Sequence, residues 1–470
     1  MHTNFFRLNM LPAGLGLQWL VLLCGLVLTF VLAFKLRLPD LEWQIALSGW
    51  SAIDWVAHLN FPERYSLDFS NGMGLYDKSS SMLIYPLVNH WFDVPVEQVI
   101  PVVIFLEMAF LAGACIFFAR TLSCAASPVA VVLFALLVVL SPARDLDLSR
   151  FGAPFFWGLF YNFADGFRLL GLAFFLRRKP LVGGLLLGIG FSIHPLITLF
   201  GCAFVAGFVA VARNWIKPRL LVRGILVFLA VSGAWFFYLY DFSSIVSTQM
   251  DAQVWTRMVR AFSSHFFPID FGVLTLDFHK RLLPLLVLCL LAVHYLPDVV
   301  VDNDLRRGMI GGSAVLIALI IVGFLISLYL PIPILVKLAL PRASALLILV
   351  ALAISCIGLV RDIQSGTTFK RLLGLLIVVS PFIYRPGFPL APVALLIFTS
   401  CSQWSVYKEA GYRRVEFSLL MLVLAVVCAY WWAGLVQRQD LPSYTGYFAL
   451  FRHWEIVVAL GLLLILLPFI

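Results

Sequence analysis

The sequence predicts an all-α polytopic membrane protein with about 12–14 transmembrane helices, forming one integral membrane unit over residues 1–470. Two observations set that class. The chain is 62% hydrophobic and only 12% charged, whereas soluble domains carry about a quarter charged residues. Apolar runs long enough to cross a bilayer recur from end to end, and none shows the alternation of a membrane β-barrel. Backbone groups in lipid must pair within their own segment, so these runs are read as helices. Two long polar interruptions, 35–98 and 241–281, complete the pattern.

The predicted spans, in order, are 16–34, 99–119, 126–141, 153–176, 181–194, 196–212, 221–240, 283–297, 310–330, 343–360, 372–385, 388–401, 417–436 and 455–470. The first follows Arg7 as a secretory signal would, but no small-x-small cleavage site precedes Lys35, so it is read as retained. The pairs 181–194/196–212 and 372–385/388–401 contain short members. Each is either a tight hairpin or one long bent helix. The eight cysteines lie mainly within or at the ends of apolar runs, and none forms a C-x-x-C pair, which argues against a zinc site.

Charge gives the orientation. Arg177-Arg178-Lys179, the stretch Arg213 to Arg223, Arg306-Arg307, Lys370-Arg371 and Arg413-Arg414 all fall on one side if the chain alternates. Basic residues in short loops mark the cytoplasm, which makes both termini cytoplasmic and loops 35–98 and 241–281 extracytoplasmic. The net charge of +9 comes without a basic block or nucleic-acid motif, so it fits an anionic lipid surface and no nucleic acid. The two outer loops are rich in aromatic and aliphatic residues at helical spacing, as in Leu41 to Leu47 and Val254 to Arg260. Amphipathic helices in the membrane interface are expected there. The localisation expected is the inner (plasma) membrane of a bacterial cell.

Chemistry has few places to sit. Asp40 and Glu42 follow the first span, and Asp54 comes soon after. In an extended lead-in the first two would point the same way. Such a pair could ligate a divalent cation through oxygen or serve as a general base; the plainer use of Asp40 is to cap a helix after Pro39. In the second loop, Arg257, Arg260 and His265 lie among aromatics, where they could hold a lipid phosphate or simply anchor the interface. His194-Pro195 breaks an apolar run; its histidine could serve a phosphate or merely satisfy a carbonyl. Arg342 follows the proline-bounded stretch Pro331 to Pro341 and faces either a cavity or the surface. Asp165 and Arg168, three apart in one span, share a helical face and are read as a structural ion pair, which Glu107 could join.

In layout the chain resembles the GT-C glycosyltransferases. The residues that carry this are Asp40-Leu41-Glu42 and Asp54 after the first span, the second outer loop with Arg260 to Pro268, and the span ending in His194-Pro195. The resemblance covers most of the layout but few motif positions, and the chain lacks a paired-acid signature and a soluble C-terminal domain. It implies transfer of a sugar from a polyprenyl-phosphate carrier to a glycan, lipid or protein acceptor outside the membrane. Asp40, Glu42 or Asp54 would take the acceptor proton. Arg257, Arg260, His265, His194 and Arg342 would bind the substrate. Three other readings compete. A lipid-linked glycan polymerase or ligase would depend on outer-loop arginines. A transporter or flippase would use Glu107, Asp165 and Arg168 within the membrane, and a scaffold in an export complex would need no chemistry.

Overall fold

The computed structural model describes residues 79–140, 146–148, 161–243, 252–262, 267, 274–366 and 368–383, together with Leu23 and Val27. The structure is mainly helical, with no strand among the described residues. The expectations at Asp40, Glu42, Asp54 and His265, and those for the spans beyond 383, lie outside the described residues.

A 3-10 turn at Ser80–Leu83 leads into α1 (Ile84–Phe92) and then α2 (Val96–Leu122). There follow α3 (Pro128–Leu140), α4 (Tyr161–Leu176), α5 (Pro180–Ile193), α6 (Pro195–Val211) and α7 (Pro218–Ser243). Next come α8 (Ala252–Phe262), α9 (Leu274–Val299), α10 (Asn303–Tyr329) and the single turn α11 (Pro333–Val336). A second 3-10 turn, Leu340–Arg342, opens α12 (Ala343–Ser365), and α13 is Thr368–Ile383. Among the described residues, five helices are long and apolar enough to cross a membrane: α2, α7, α9, α10 and the Leu340–Ser365 run, with α3, α5 and α6 apolar but shorter. The described part is therefore an all-α protein of membrane type.

Local chemistry explains most boundaries. Proline opens α3, α5, α6 and α7, where its missing N–H removes a donor that would have no partner in the helix. Asp302 caps α10, its carboxylate accepting from the N–H groups of Asp304 and Leu305. Helices α7 and α9 run into the stretch 241–281 that composition assigns to a loop, since α7 continues to Ser243 and α9 begins at Leu274. Charged residues such as Lys280 and Arg281 end an apolar run in sequence without interrupting helical hydrogen bonding.

Helix α12 is the centre. Some 94% of its apolar window is buried, against 11% for α7 at the periphery. It packs against α3, α9, α10 and α13, while α2, α4, α5 and α7 form a consecutive row beside it. A helix apolar all round suits the middle of such a bundle. Glycines set the closest contacts. A Cβ on Gly207 of α6 would lie 2.6 Å from the carbonyl oxygen of Gly311 of α10, so these two backbones meet directly.

The basic loops among the described residues gather at one end. Arg177 bonds Thr121 at the end of α2 and covers the Phe117 ring. Arg178 covers Trp215, which donates its indole N–H to the Leu176 carbonyl. Arg361 pairs with Asp298 across α12 and α9. The opposite end carries Ser80–Phe92, His194, α8 and the Leu330 to Arg342 link.

The break at His194 makes a tight hairpin. Leu187 and Gly201 stand equally far from it along the chain, yet a Cβ on Gly201 would lie 3.3 Å from Leu187 Cδ2. Two helices in line would hold these residues about 20 Å apart, so α5 and α6 fold back on each other.

Candidate functional site

Two polar regions occupy the end of the bundle opposite the basic loops. The first lies below the α5–α6 turn. With 14 and 17 residues, these helices extend only about 21–26 Å at 1.5 Å per residue, short of a hydrocarbon layer of about 30 Å. Arg178, Lys179 and Arg213 stand at their basic ends, and a helix pair of this length would leave the His194 turn short of the far side of such a layer. The Ser80–Leu83 turn reaches onto it, and the hydroxyls of Ser80 and Ser192 meet at 2.7 Å.

Beneath this cover is a buried polar cluster. Glu107, twelfth in α2, is wholly buried and accepts from the Asn162 side-chain amide of α4 at 3.0 Å. One turn along α4, Arg168 donates to Asp165 at 2.7 Å, with both side chains at most 1% exposed. A second Arg168 donor reaches the Ile197 carbonyl of α6 at 3.2 Å. The pairing read from the i, i+3 spacing is present, and the guanidinium also ties α4 to the first turn of α6. Tyr85 of α1 is buried close enough for Glu107 to affect it. Burial first, and then the field of the Glu107 carboxylate, push its phenol far above the ordinary tyrosine value, so it remains a proton donor. His194 stacks on Tyr161 and accepts through Nδ1 from the Ile197 N–H. It therefore caps α6.

The second region is at the start of α12. Ser344, fully buried, donates to the Asp147 carboxylate at 2.7 Å while accepting from the Leu148 N–H at 3.0 Å. Arg281 of α9 donates to the Asp147 carbonyl at 3.2 Å. Asp147 is itself only 4% exposed. It is not among the sequence candidates, although the spacing Asp145-Leu146-Asp147 after an apolar run was available as a signal. Ser344→Ala is expected to remove one donor from the Asp147 carboxylate and the acceptor of the Leu148 N–H, at a cost of about 1–3 kcal/mol. Thermal unfolding in detergent would read this as a clear fall in midpoint, and an unchanged midpoint would deny the tie any structural role.

Next to this region, α8 docks on the link after α10. Thr256 donates to the Pro331 carbonyl at 3.5 Å, and the Lys337 ammonium stands 5.1 Å from the Trp255 ring. The helix that carries Arg257 and Arg260 thus meets the link at Pro331 and Lys337. Arg260 lies 5.7 Å from the Phe267 ring, within cation–π range. Arg257 is exposed and points away from the docked strip of Trp255 and Val259. Arg342 opens α12 two residues before Ser344. His194 belongs to the first region with Tyr161. Among the described residues no three His, Cys, Asp or Glu side chains converge as a metal-binding group.

Comparison with known proteins finds no matching family model, no matching curated protein and no matching solved structure.

Proposed function

We propose that this chain is a membrane glycosyltransferase that moves a sugar from a polyprenyl-phosphate carrier to an acceptor on the extracytoplasmic side of the bacterial inner membrane. One observation carries the reading. Helix α8, which carries Arg257 and Arg260, docks through Thr256 and Trp255 on Pro331 and Lys337 of the link that leads to Arg342, at the end of the bundle opposite the described basic loops. Basic short loops mark the cytoplasmic side, so this end faces outward, where a lipid-linked donor presents its phosphate.

The reaction breaks the bond between the sugar C1 and the carrier phosphate and forms a bond from C1 to the acceptor oxygen. The acceptor proton goes to a carboxylate, assigned to Asp40, Glu42 or Asp54, and the leaving group departs as polyprenyl phosphate. Guanidinium groups suit that group because they match its oxygens bidentately and oppose the charge that grows on it. Arg260, Arg342 and His265 are assigned to it, and Arg257 and His194 to the rim of the same end. A divalent cation held by Asp40 and Glu42 would assist in the same way.

The test is sugar transfer by the purified full chain in lipid, offered a panel of polyprenyl-phosphate sugars. Asp40→Asn, Glu42→Gln, Asp54→Asn and Arg342→Gln are compared with wild type. Loss of transfer in one acid variant that still binds donor names the base, and a fall of tenfold or more is expected for Arg342→Gln. Wild-type protein that neither binds nor consumes any donor overturns the proposal.

The second reading is a transporter of lipid-linked or envelope substrates. Its support is the placement of Glu107, Asp165 and Arg168 wholly inside the bundle, where ionisable groups are often functional. Movement of a labelled substrate across proteoliposomes, lost in Glu107→Gln and kept in the Asp40, Glu42 and Asp54 variants, would favour it over transfer.

A further inference from the structure

The outward face of α8 is divided lengthwise into an open apolar strip, which the transfer reaction does not use, and a basic edge. Successive residues turn by about 100°, so Val254 and Met258 share one strip and Trp255 and Val259 the next. The second strip docks on the protein. The first is open, with Val254 48% and Met258 49% exposed. On the other side of the open strip come Arg257 and Arg260, both exposed. Half of the apolar face is therefore uncovered, and a basic edge runs parallel to it.

We propose that this face of α8 lies on the bilayer and docks anionic phospholipid, with Val254 and Met258 among the upper acyl carbons and Arg257 and Arg260 on headgroup phosphates. The charge decides the occupant. An apolar strip alone would suit any bilayer, but guanidinium groups beside it fit phosphates carrying net negative charge. The geometry agrees, because a helix that lies in the interface sinks its apolar side only about 5–10 Å, and Val254 and Met258 supply one short row. The transfer reading assigns the same two arginines to donor phosphate and rim, so the two proposals part at the open apolar strip. The bilayer contact of that strip requires no transfer activity.

The test uses the full chain with its native cysteines replaced, carrying one spin label at Gln253, Val254 or Met258, in discs of phosphatidylcholine alone or mixed equally with phosphatidylglycerol. Labels at 254 and 258 are expected to be accessible to oxygen and shielded from a neutral nickel chelate, and the label at 253 the reverse. In parallel, the ratio of phosphatidylglycerol to phosphatidylcholine retained on extraction from the mixed bilayer is compared between wild type and Arg257→Gln/Arg260→Gln. Each basic residue near an anionic surface contributes about five-fold in binding, so the double variant should lose most of the preference. Both arginines are exposed, and an unchanged melting midpoint would confirm that the variant folds. Labels at 254 and 258 open to the nickel chelate would place α8 in water and overturn the proposal. Labels shielded from both probes would mean that protein covers the face, a second copy being recognised by spin–spin broadening, and would overturn it too. An unchanged lipid ratio would overturn the assignment of anionic phospholipid to this face.

Discussion

Replacing Arg168 by methionine is expected to cost about 3–5 kcal/mol, the usual result of leaving one partner of a buried ion pair behind. Asp165 would keep its carboxylate at 1% exposure without the guanidinium 2.7 Å away, and the Ile197 carbonyl would lose a donor. Asp165→Leu should be about as damaging, because it removes the carboxylate that neutralises the buried guanidinium. The double variant should recover much of the loss, since apolar groups of similar size can replace a buried pair at little cost. Arg168→Lys should fall between, because one ammonium cannot reproduce the forked bonds to Asp165 and Ile197. Unfolding midpoints of the four proteins in one detergent form a complete cycle. If the double variant were as unstable as the sum of the singles, the two groups would not be coupled, and the cluster would lose its role in joining α4 to α6.

This cycle also separates what was legible in the sequence from what was not. The Asp165–Arg168 pair follows from a spacing of three on a helix, and the interruption at His194 from a histidine–proline step. The helix Ala252–Phe262 follows from its apolar period, and the shared end of the basic loops from alternation. Each signal lies within a few residues or within one span. The second partner of Arg168 is a backbone carbonyl, which no residue type announces. Ser344 and Asp147 meet from opposite sides of a gap of 197 residues, and nothing local in either segment refers to the other. Glu107 could be grouped with the α4 residues from its unusual location, but that its partner would be Asn162 follows only from the packing of α2 on α4. Whether α5 and α6 were a bent rod or a hairpin was equally open, because both have the same hydropathy. The decision comes from Leu187 and Gly201, which can touch only if the chain reverses. Composition therefore marks the apolar helices among the described residues, whereas side-chain and glycine contacts between them decide how the buried polar groups meet.

The same distinction predicts opposite outcomes for one chemical change at two glycines. Gly311→Ala is expected to destabilise the fold, because the new methyl carbon would lie 2.5 Å from the Gly207 carbonyl oxygen and 2.7 Å from Val211 Cγ2. Backbone cannot move aside as a side chain can, so α6 and α10 must separate, and overpacking of this kind costs about 1–3 kcal/mol. Gly311→Leu should exceed that range and prevent folding, since small residues are what allow helices to approach closely inside a membrane. Gly113, in α2, gives the comparison. Nothing lies within 4 Å of a Cβ built there, so Gly113→Ala should be neutral or stabilise by up to about 1 kcal/mol through reduced backbone freedom alone. The measurement is the unfolding midpoint of both alanine variants and the yield of folded Gly311→Leu. A destabilised Gly113→Ala would mean that α2 is closely packed at Gly113. A Gly311→Ala as stable as wild type would mean that α6 and α10 do not meet through Gly207 and Gly311. The placement of α10, and of the α11 link that receives α8, would then have to be redrawn.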